Sequence, residues 1–302
     1  DCIFALAEAL LQAGDTEQAE SRFREYLKQA PKGKYAGRAL FRAGEAAYLL
    51  GKAKEAQADL TRFLAEHATD KFSTYAIRYL GELAMERKEF NAAAELFRDG
   101  LRRYPDGSQV DHYRYGLARS LKELQQLDEA EKLYAEVAAK NGSPLADAAR
   151  LNLGVLQFSR DRYEAALETL APFEKELAAS SLRPDAQLTR GWALLELDRP
   201  KEASPVFGSV VGNASVAVEA RYGLGLAEYE NEQWQRAAQT LDAAAEIDPK
   251  HALVPAIRYY AGDALMKAGD AKGAASRFDQ VLAIGGESNA WLDDAACGKI
   301  SL

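Results

Sequence analysis

The sequence predicts an all-α chain of antiparallel helix pairs, repeated about eight times with a partial ninth. Three observations predict it. Residues 75–105, YAIRYLGELAMERKEFNAAAELFRDGLRRYP, hold two amphipathic helical patterns back to back. That unit recurs along the 302 residues at a nearly constant interval. Val-, Ile- and Thr-rich alternating runs, the signature of strands, are absent.

In the type unit, apolar or small residues fall at Ile77, Leu80, Gly81 and Ala84, then at Phe90, Ala93, Phe97 and Leu101. Intervals of three and four are the helical period. Glu86-Arg87-Lys88-Glu89 breaks the two patterns, and Pro105 ends the second. A hairpin of this kind cannot bury its apolar faces alone. Small residues in the first helix recur as Ala7, Gly44, Gly81, Ala118, Gly154, Gly191, Gly225 and Gly262, at intervals of 37, 37, 37, 36, 37, 34 and 37. Twelve residues after each comes Ala19, Ala56, Ala93, Ala130, Ala166, Ala203, Ala237 or Ala274. Four later stands a large apolar residue: Phe23, Leu60, Phe97, Tyr134, Leu170, Phe207, Leu241 or Phe278. The spacing predicts that small residues admit a neighbouring helix and that the large ones fill the space beyond.

These residues resemble the tetratricopeptide repeat. Ala-Gly-Asp stands at Ala13-Gly14-Asp15 and Ala268-Gly269-Asp270, the turn aromatic at Phe90, Tyr163 and Trp234, and the closing proline at Pro31, Pro105 and Pro249. The resemblance covers nearly the whole chain. It implies a right-handed superhelical solenoid, one domain over 1–302, with repeats at about 1–34, 35–70, 71–107, 108–144, 145–182, 183–215, 216–249 and 250–286 and a partial ninth at 287–302. Longer-than-usual repeats and the Tyr104-Pro105-Asp106 closing are similar in style to bacterial envelope members of the Tol-Pal-associated and outer-membrane-assembly type.

Taken in order, the chain starts inside a helix and stops after the first helix of the ninth repeat, where Gly298 follows Gly262 by 36 residues. A fragment of a longer protein is expected, the alternative being that this last helix is itself the polar cap of the array. Repeats one to four are the most regular. In repeat five, Pro172 falls where a helix should run, at a cost of ~3 kcal/mol. In repeat six, Gly208 and Gly212 each cost ~1 kcal/mol against alanine, and Pro205 lies early enough in its helix to be tolerated. Any bend is therefore expected within 172–213.

Chemistry is sparse. The net charge of −8 argues against a nucleic-acid surface, which needs a concentrated basic face. No apolar run approaches the ~18 residues of a membrane span. His67, His112 and His251 show no paired metal-ligand spacing. Tyr222-Gly223-Leu224-Gly225 lies inside a helical pattern with no strand before it, so it is not a nucleotide loop. Cys2 and Cys297 lie in the first and last repeats, too far apart to be expected to pair. Asn141-Gly142-Ser143 and Asn213-Ala214-Ser215 match the glycosylation sequon. No catalytic residues, metal or cofactor are expected, and the chain reads as non-enzymatic.

What remains is a surface. The resemblance implies that first helices line a concave groove, through positions three before, one after and four after each small residue. The groove residues expected to bind a partner are Phe41, Glu45, Tyr48, Arg78, Glu82, Tyr115, Arg119, Phe158, Trp192, Leu195, Tyr222, Tyr229, Tyr259 and Met266. Chaperone-type carboxylate clamps use Lys and Asn at positions that hold Phe4 and Glu8, or Phe41 and Glu45, here, so that ligand class is rejected for the first two repeats. The first third of the groove pairs aromatics with acids, and Glu8, Glu45 and Glu82 are expected to favour a basic stretch of ligand. The middle carries Arg78, Arg119 and Lys122, and the last half is apolar and aromatic. A protein or peptide partner in the groove is the expected ligand, in the periplasm or cell envelope. The alternatives are self-association through uncapped ends or the groove itself, and a cytoplasmic subunit that regulates or assembles an enzyme complex.

Overall fold

The structure is a computed structural model and describes residues 1–140, 142–284 and 290–301. Asn141 of the first sequon, residues 285–286 of the expected eighth repeat, and residues 287–289 and Leu302 of the expected ninth lie outside the described residues. The described residues form seventeen α-helices and one 3-10 turn, with no strand among them. They divide into two compact units, Asp1–Ala149 and Arg150–Leu302.

In the first unit α1 (Cys2–Gln12) pairs with α2 (Thr16–Gln29), α3 (Ala36–Leu49) with α4 (Ala53–Glu66), α5 (Ser73–Glu86) with α6 (Phe90–Arg103), and α7 (Val110–Glu123) with α8 (Leu127–Ala138). The boundary between the units falls inside α9 (Ala146–Phe158). The second unit continues with α10 (Tyr163–Leu170), the 3-10 turn (Ala171–Glu174), α11 (Arg183–Glu196), α12 (Pro200–Gly208), α13 (Ala217–Glu230), α14 (Trp234–Ile247), α15 (Val254–Lys267), α16 (Ala271–Ile284) and α17 (Leu292–Ile300). From α1 to α8, and again from α10 to α17, each helix packs on its predecessor. This is an all-α repeat fold.

The spacing of small and large residues explains the packing. All eight second-helix alanines and all eight large residues sixteen after the small ones have no exposed surface. A Cβ placed on Gly81 would lie 2.5 Å from the Phe97 ring, and one on Gly191 or Gly225 would lie 2.6 Å from Phe207 or Leu241. The same rings also receive the next repeat. Gly116 faces Phe97, Gly223 faces Phe207 and Gly298 faces Phe278, each too close to carry a Cβ. Gly298 thus takes the place of Gly116 and Gly223, two residues earlier in the unit than the Gly262 position with which the 36-residue interval aligned it. The N-terminus of α17, at Trp291, fits the same shifted register.

The turns inside the pairs share one backbone device. Seven residues after each small position φ is positive: Gly14, Gly51, Lys88, Gln125, Asp161, Asp198, Glu232 and Gly269. The next amide bonds back across the helix end, as from Lys52 N–H to Ala47 O at 2.8 Å and from Gln126 N–H to Leu121 O at 2.8 Å. This is the paired-hydrogen-bond ending that a left-handed residue allows. Three of the eight positions are glycine, and five hold side chains in a conformation that glycine adopts more readily.

Repeats five and six depart from the pattern where the prolines fall. Helix α10 has 8 residues and α12 has 9, against 14 for α2, α4, α6, α14 and α16. Pro172 sits in the 3-10 turn that ends α10, and Pro205 lies inside α12.

Candidate partner-binding face

Odd-numbered helices of successive repeats touch within each unit, α3 with α5, α5 with α7, α11 with α13 and α13 with α15, so their shared face can present residues from several repeats to one ligand. In the first unit Glu45, Tyr48, Arg78, Glu82, Tyr115 and Arg119 are half-buried there. Phe41 is 1% exposed and belongs to the core, stacked on Phe72 at 4.8 Å between ring centres. A large apolar residue three places before the small one packs inward in this repeat because Phe72 and Tyr75 of the following repeat cover it.

The acids on this face already have partners. Glu8 takes Arg38 and Arg42 from the following repeat. Glu45 takes Arg42 from its own helix, and the Tyr79 hydroxyl of the following repeat donates to it at 3.0 Å. Glu82 takes Arg119 of the following repeat at 3.1 Å. Burial first, and then the Glu45 charge, pushes the Tyr79 phenol well above its ordinary value, so it stays a donor. The acid ladder therefore staples consecutive repeats and is neutralised within the fold. This offsets the expected preference for a basic ligand, because each acid is already charge-paired or hydrogen-bonded. Arg78 donates to Gln109 at 3.2 Å and lies over the Tyr79 ring.

The second unit carries an aromatic array. Trp192 meets Phe207 at 5.2 Å and Tyr222 at 5.8 Å. Tyr222 reaches Tyr260 at 6.3 Å, and Tyr260 reaches Tyr229 at 5.7 Å, Tyr259 at 5.5 Å and Trp291 at 5.4 Å. Tyr229 closes on Trp234 at 5.0 Å, and the Lys267 ammonium lies over both of those rings. The Tyr229 hydroxyl bonds Asp263 of the following repeat. Burial, followed by that hydrogen bond, holds its phenol far above the ordinary range. Trp192, Tyr222, Tyr229 and Tyr259 are thus brought together, each half-buried. Leu195 packs beside Trp192 over the Leu194–Phe207 cluster, and Met266 lies over the Leu265–Phe278 cluster. Phe158, also half-buried, sits apart from the array against Tyr163 at 5.4 Å.

Sequence reasoning missed Tyr79, Tyr260 and Arg42, which all stand two places before the small residue. An aromatic or arginine at that offset in three repeats was the available signal. Among the described residues no group of three or more His, Cys, Asp or Glu could hold a metal ion, and no helix is long and apolar enough to cross a membrane. Both cysteines are exposed.

The tetratricopeptide repeat profile matches residues 4–70, 50–108, 115–175 and 188–252. No curated protein matches the chain in sequence. Among solved structures, the C-terminal part of a TPR repeat-containing protein from Cytophaga hutchinsonii superposes with a TM-score of 0.66 at 17% identity, covering 87% of this chain and 99% of that one. A tetratricopeptide repeat protein from Parabacteroides merdae gives 0.58 at 13%, over 87% and 98%. YrrB, described as a TPR protein with an unusual peptide-binding site, gives 0.54 at 22%, over 69% and 100%.

Proposed function

The chain belongs to the tetratricopeptide repeat family, and from that premise we propose that it is a non-catalytic scaffold that binds a partner protein segment on its odd-helix face. The family generally acts through protein–protein interaction. The observation that carries the reading is the aromatic array: Trp192, Tyr222, Tyr229, Tyr259, Tyr260 and Trp291 form one network in which no ring is fully buried. Stiff amphipathic rings dominate the energetics of protein interfaces. They hold each other in place, so little side-chain entropy is lost on binding. The peptide-binding site attributed to YrrB accords with this use of the fold. Within the second unit the residues proposed to contact a partner are Trp192, Leu195, Tyr222, Tyr229, Tyr259 and Met266; the first unit has its own proposed contact set, Tyr48, Arg78, Tyr115 and Arg119.

Site-specific photo-cross-linking tests this. Benzoylphenylalanine at position 192 or 259 should capture one partner segment in cells, whereas at the exposed second-helix position Gln239 it should not. Equal capture at 239, or capture of a second copy alone, would replace the scaffold reading with another face or with self-association.

The setting we propose is the bacterial cell envelope, the style of repeat with a Tyr-Pro-Asp closing being its support. The Tyr104 hydroxyl donates to Ala68 O at 2.9 Å, so that tyrosine also has a structural use in any compartment. A cytoplasmic assembly or regulatory subunit is the alternative, and fractionation of cells expressing the full-length gene separates the two.

A further inference from the structure

The two short second helices leave room that regular repeats fill. Between α10, α11 and α12 lies an open cleft of about 780 Å3. It is lined on the α11 side by Arg183, Gln187, Arg190 and Leu194. These lie on a different face of α11 from Leu188, Trp192 and Leu195, at the spacing of three and four that defines one helical stripe. The cleft therefore faces away from the aromatic array.

Its polar groups are incompletely satisfied. The Arg190 side chain is only 12% exposed. It donates through Nη1 to Gln187 at 2.8 Å and through Nη2 to Glu174 at 3.0 Å, while Nε is buried with no hydrogen-bond partner. The Nε of Arg183 is likewise buried and unpartnered. Among the described residues Arg183 makes no ion pair at all. A buried donor without an acceptor costs about as much as a lost hydrogen bond, and such groups call for an explanation. Here two of them line one cleft. Both signs of charge line it: Glu164 and Glu168 on α10, Arg183 and Arg190 on α11, with Glu174 paired to Arg190, and Arg199, Lys201 and Glu202 at the start of α12, of which Arg199 and Glu202 pair with each other. Leu167, Leu194 and Val206 supply apolar lining between.

We propose that this cleft is a second peptide-binding site, independent of the odd-helix face. Its occupant is a segment that sets one carboxylate on Arg183 and Arg190, a basic residue against Glu164 and Glu168, and apolar side chains over Leu167, Leu194 and Val206. A carboxylate accepts from several donors at once, and the fork of a guanidinium on this wall offers it more than one. The α10 acids repel a uniformly acidic segment, which is why the ligand carries both signs.

The test is a selection from a displayed library of random dodecapeptides on the intact protein, with counter-selection on the Arg183→Gln variant. That variant removes no ion pair, and a melting curve checks that it folds. Survivors should carry an acidic and a basic residue among apolar ones. Replacing the acid by its amide should weaken each peptide about tenfold or more, the worth of hydrogen bonds to charged groups. Arg190→Lys should give a smaller loss, and Glu164→Gln with Glu168→Gln should relax the need for the basic residue. Failure of any peptide to survive counter-selection overturns the proposal. So does recovery only of peptides indifferent to their acid, or of peptides that lose affinity with Trp192→Ala, which would belong to the other face.

Discussion

Gly81 lies against the edge of Phe97, so close that a Cβ would stand 2.5 Å from the ring, and Gly116 of the next repeat closes on the same ring from α7. Phe97 has no exposed surface, so it cannot swing into solvent to make room. Gly81→Leu should therefore force α5 and α6 apart. Overpacking a tight contact costs ~1–3 kcal/mol or more, and circular dichroism melts would register it. An unchanged melting temperature would mean that this crossing is soft.

The eight left-handed turn positions offer a test in two directions. Gly51 has φ +72° with nothing within 4 Å of where a Cβ would go, so only backbone strain opposes a side chain there. Gly51→Ala should cost ~1 kcal/mol, the left-handed penalty less the entropy gained in the unfolded chain. Gln125 has φ 60° at the equivalent turn. Gln125→Gly should be neutral to stabilising, by ~0.5 kcal/mol on the same principles. Urea titrations of both variants check this, and a loss at Gln125→Gly as large as that at Gly51→Ala contradicts it.

His112 gives a pH dependence. Burial, and next the nearby Arg78 charge, lower its pKa from 6.5 to about 4, with Asp111 opposing. Its Nδ1 is buried without a hydrogen-bond partner. The folded chain thus keeps the imidazole neutral where the unfolded chain protonates it. The stabilisation is complete above pH 6.5 and is lost as pH falls from there toward about 4. His112→Asn should flatten the melting temperature over that window, removing an effect on the order of 2 kcal/mol. Identical acid profiles for the two proteins would show that His112 stays solvated.

Through the first eight repeats the register and the core could be read in the sequence because one spacing governs them all: Gly44, Ala56 and Leu60 behave as Gly81, Ala93 and Phe97 do. Pro172 marked the shortened helix for the same reason, since its cost is local. What could not be read depends on neighbours across repeats. Phe41 follows the groove spacing yet is buried, because Phe72 stacks on it. Glu8, Glu45 and Glu82 look like a free acidic ladder until Arg38, Arg42, Tyr79 and Arg119 are placed beside them. Contacts that join residues thirty or more apart leave no mark in a single repeat's periodicity.

Repeats five and six should open first. A repeat array is held by nearest-neighbour interfaces, and helices of 8 and 9 residues bury less than those of 14 residues. Hydrogen exchange followed by mass spectrometry should find faster exchange in residues 172–213 than in 75–101, as low-stability segments show. Equal protection in the two segments would remove the weak centre.

The partner, once captured, distinguishes the odd-helix face of the second unit from that of the first. Trp192 packs edge-on against Phe207 and beside Tyr222, so its position is fixed before binding. Trp192→Ala should weaken the partner by ~2 kcal/mol or more, and equally at low and high salt. The first unit should behave differently from a row of free acids, because Glu82 is spanned by Arg119 and Glu45 by Arg42 and Tyr79. Raising the salt from ~0.05 to ~0.5 M should then change affinity by less than about threefold, whereas three unpaired carboxylates meeting a basic segment would lose far more to screening. Glu45→Lys should act on stability first, since it breaks contacts to Arg42 and Tyr79 within the fold. Calorimetric titrations at two ionic strengths, with melts of each variant, measure all of this. Wild-type affinity in both Trp192→Ala and Tyr259→Ala, with melting intact, would place the partner on another surface and leave the aromatic array a purely structural element.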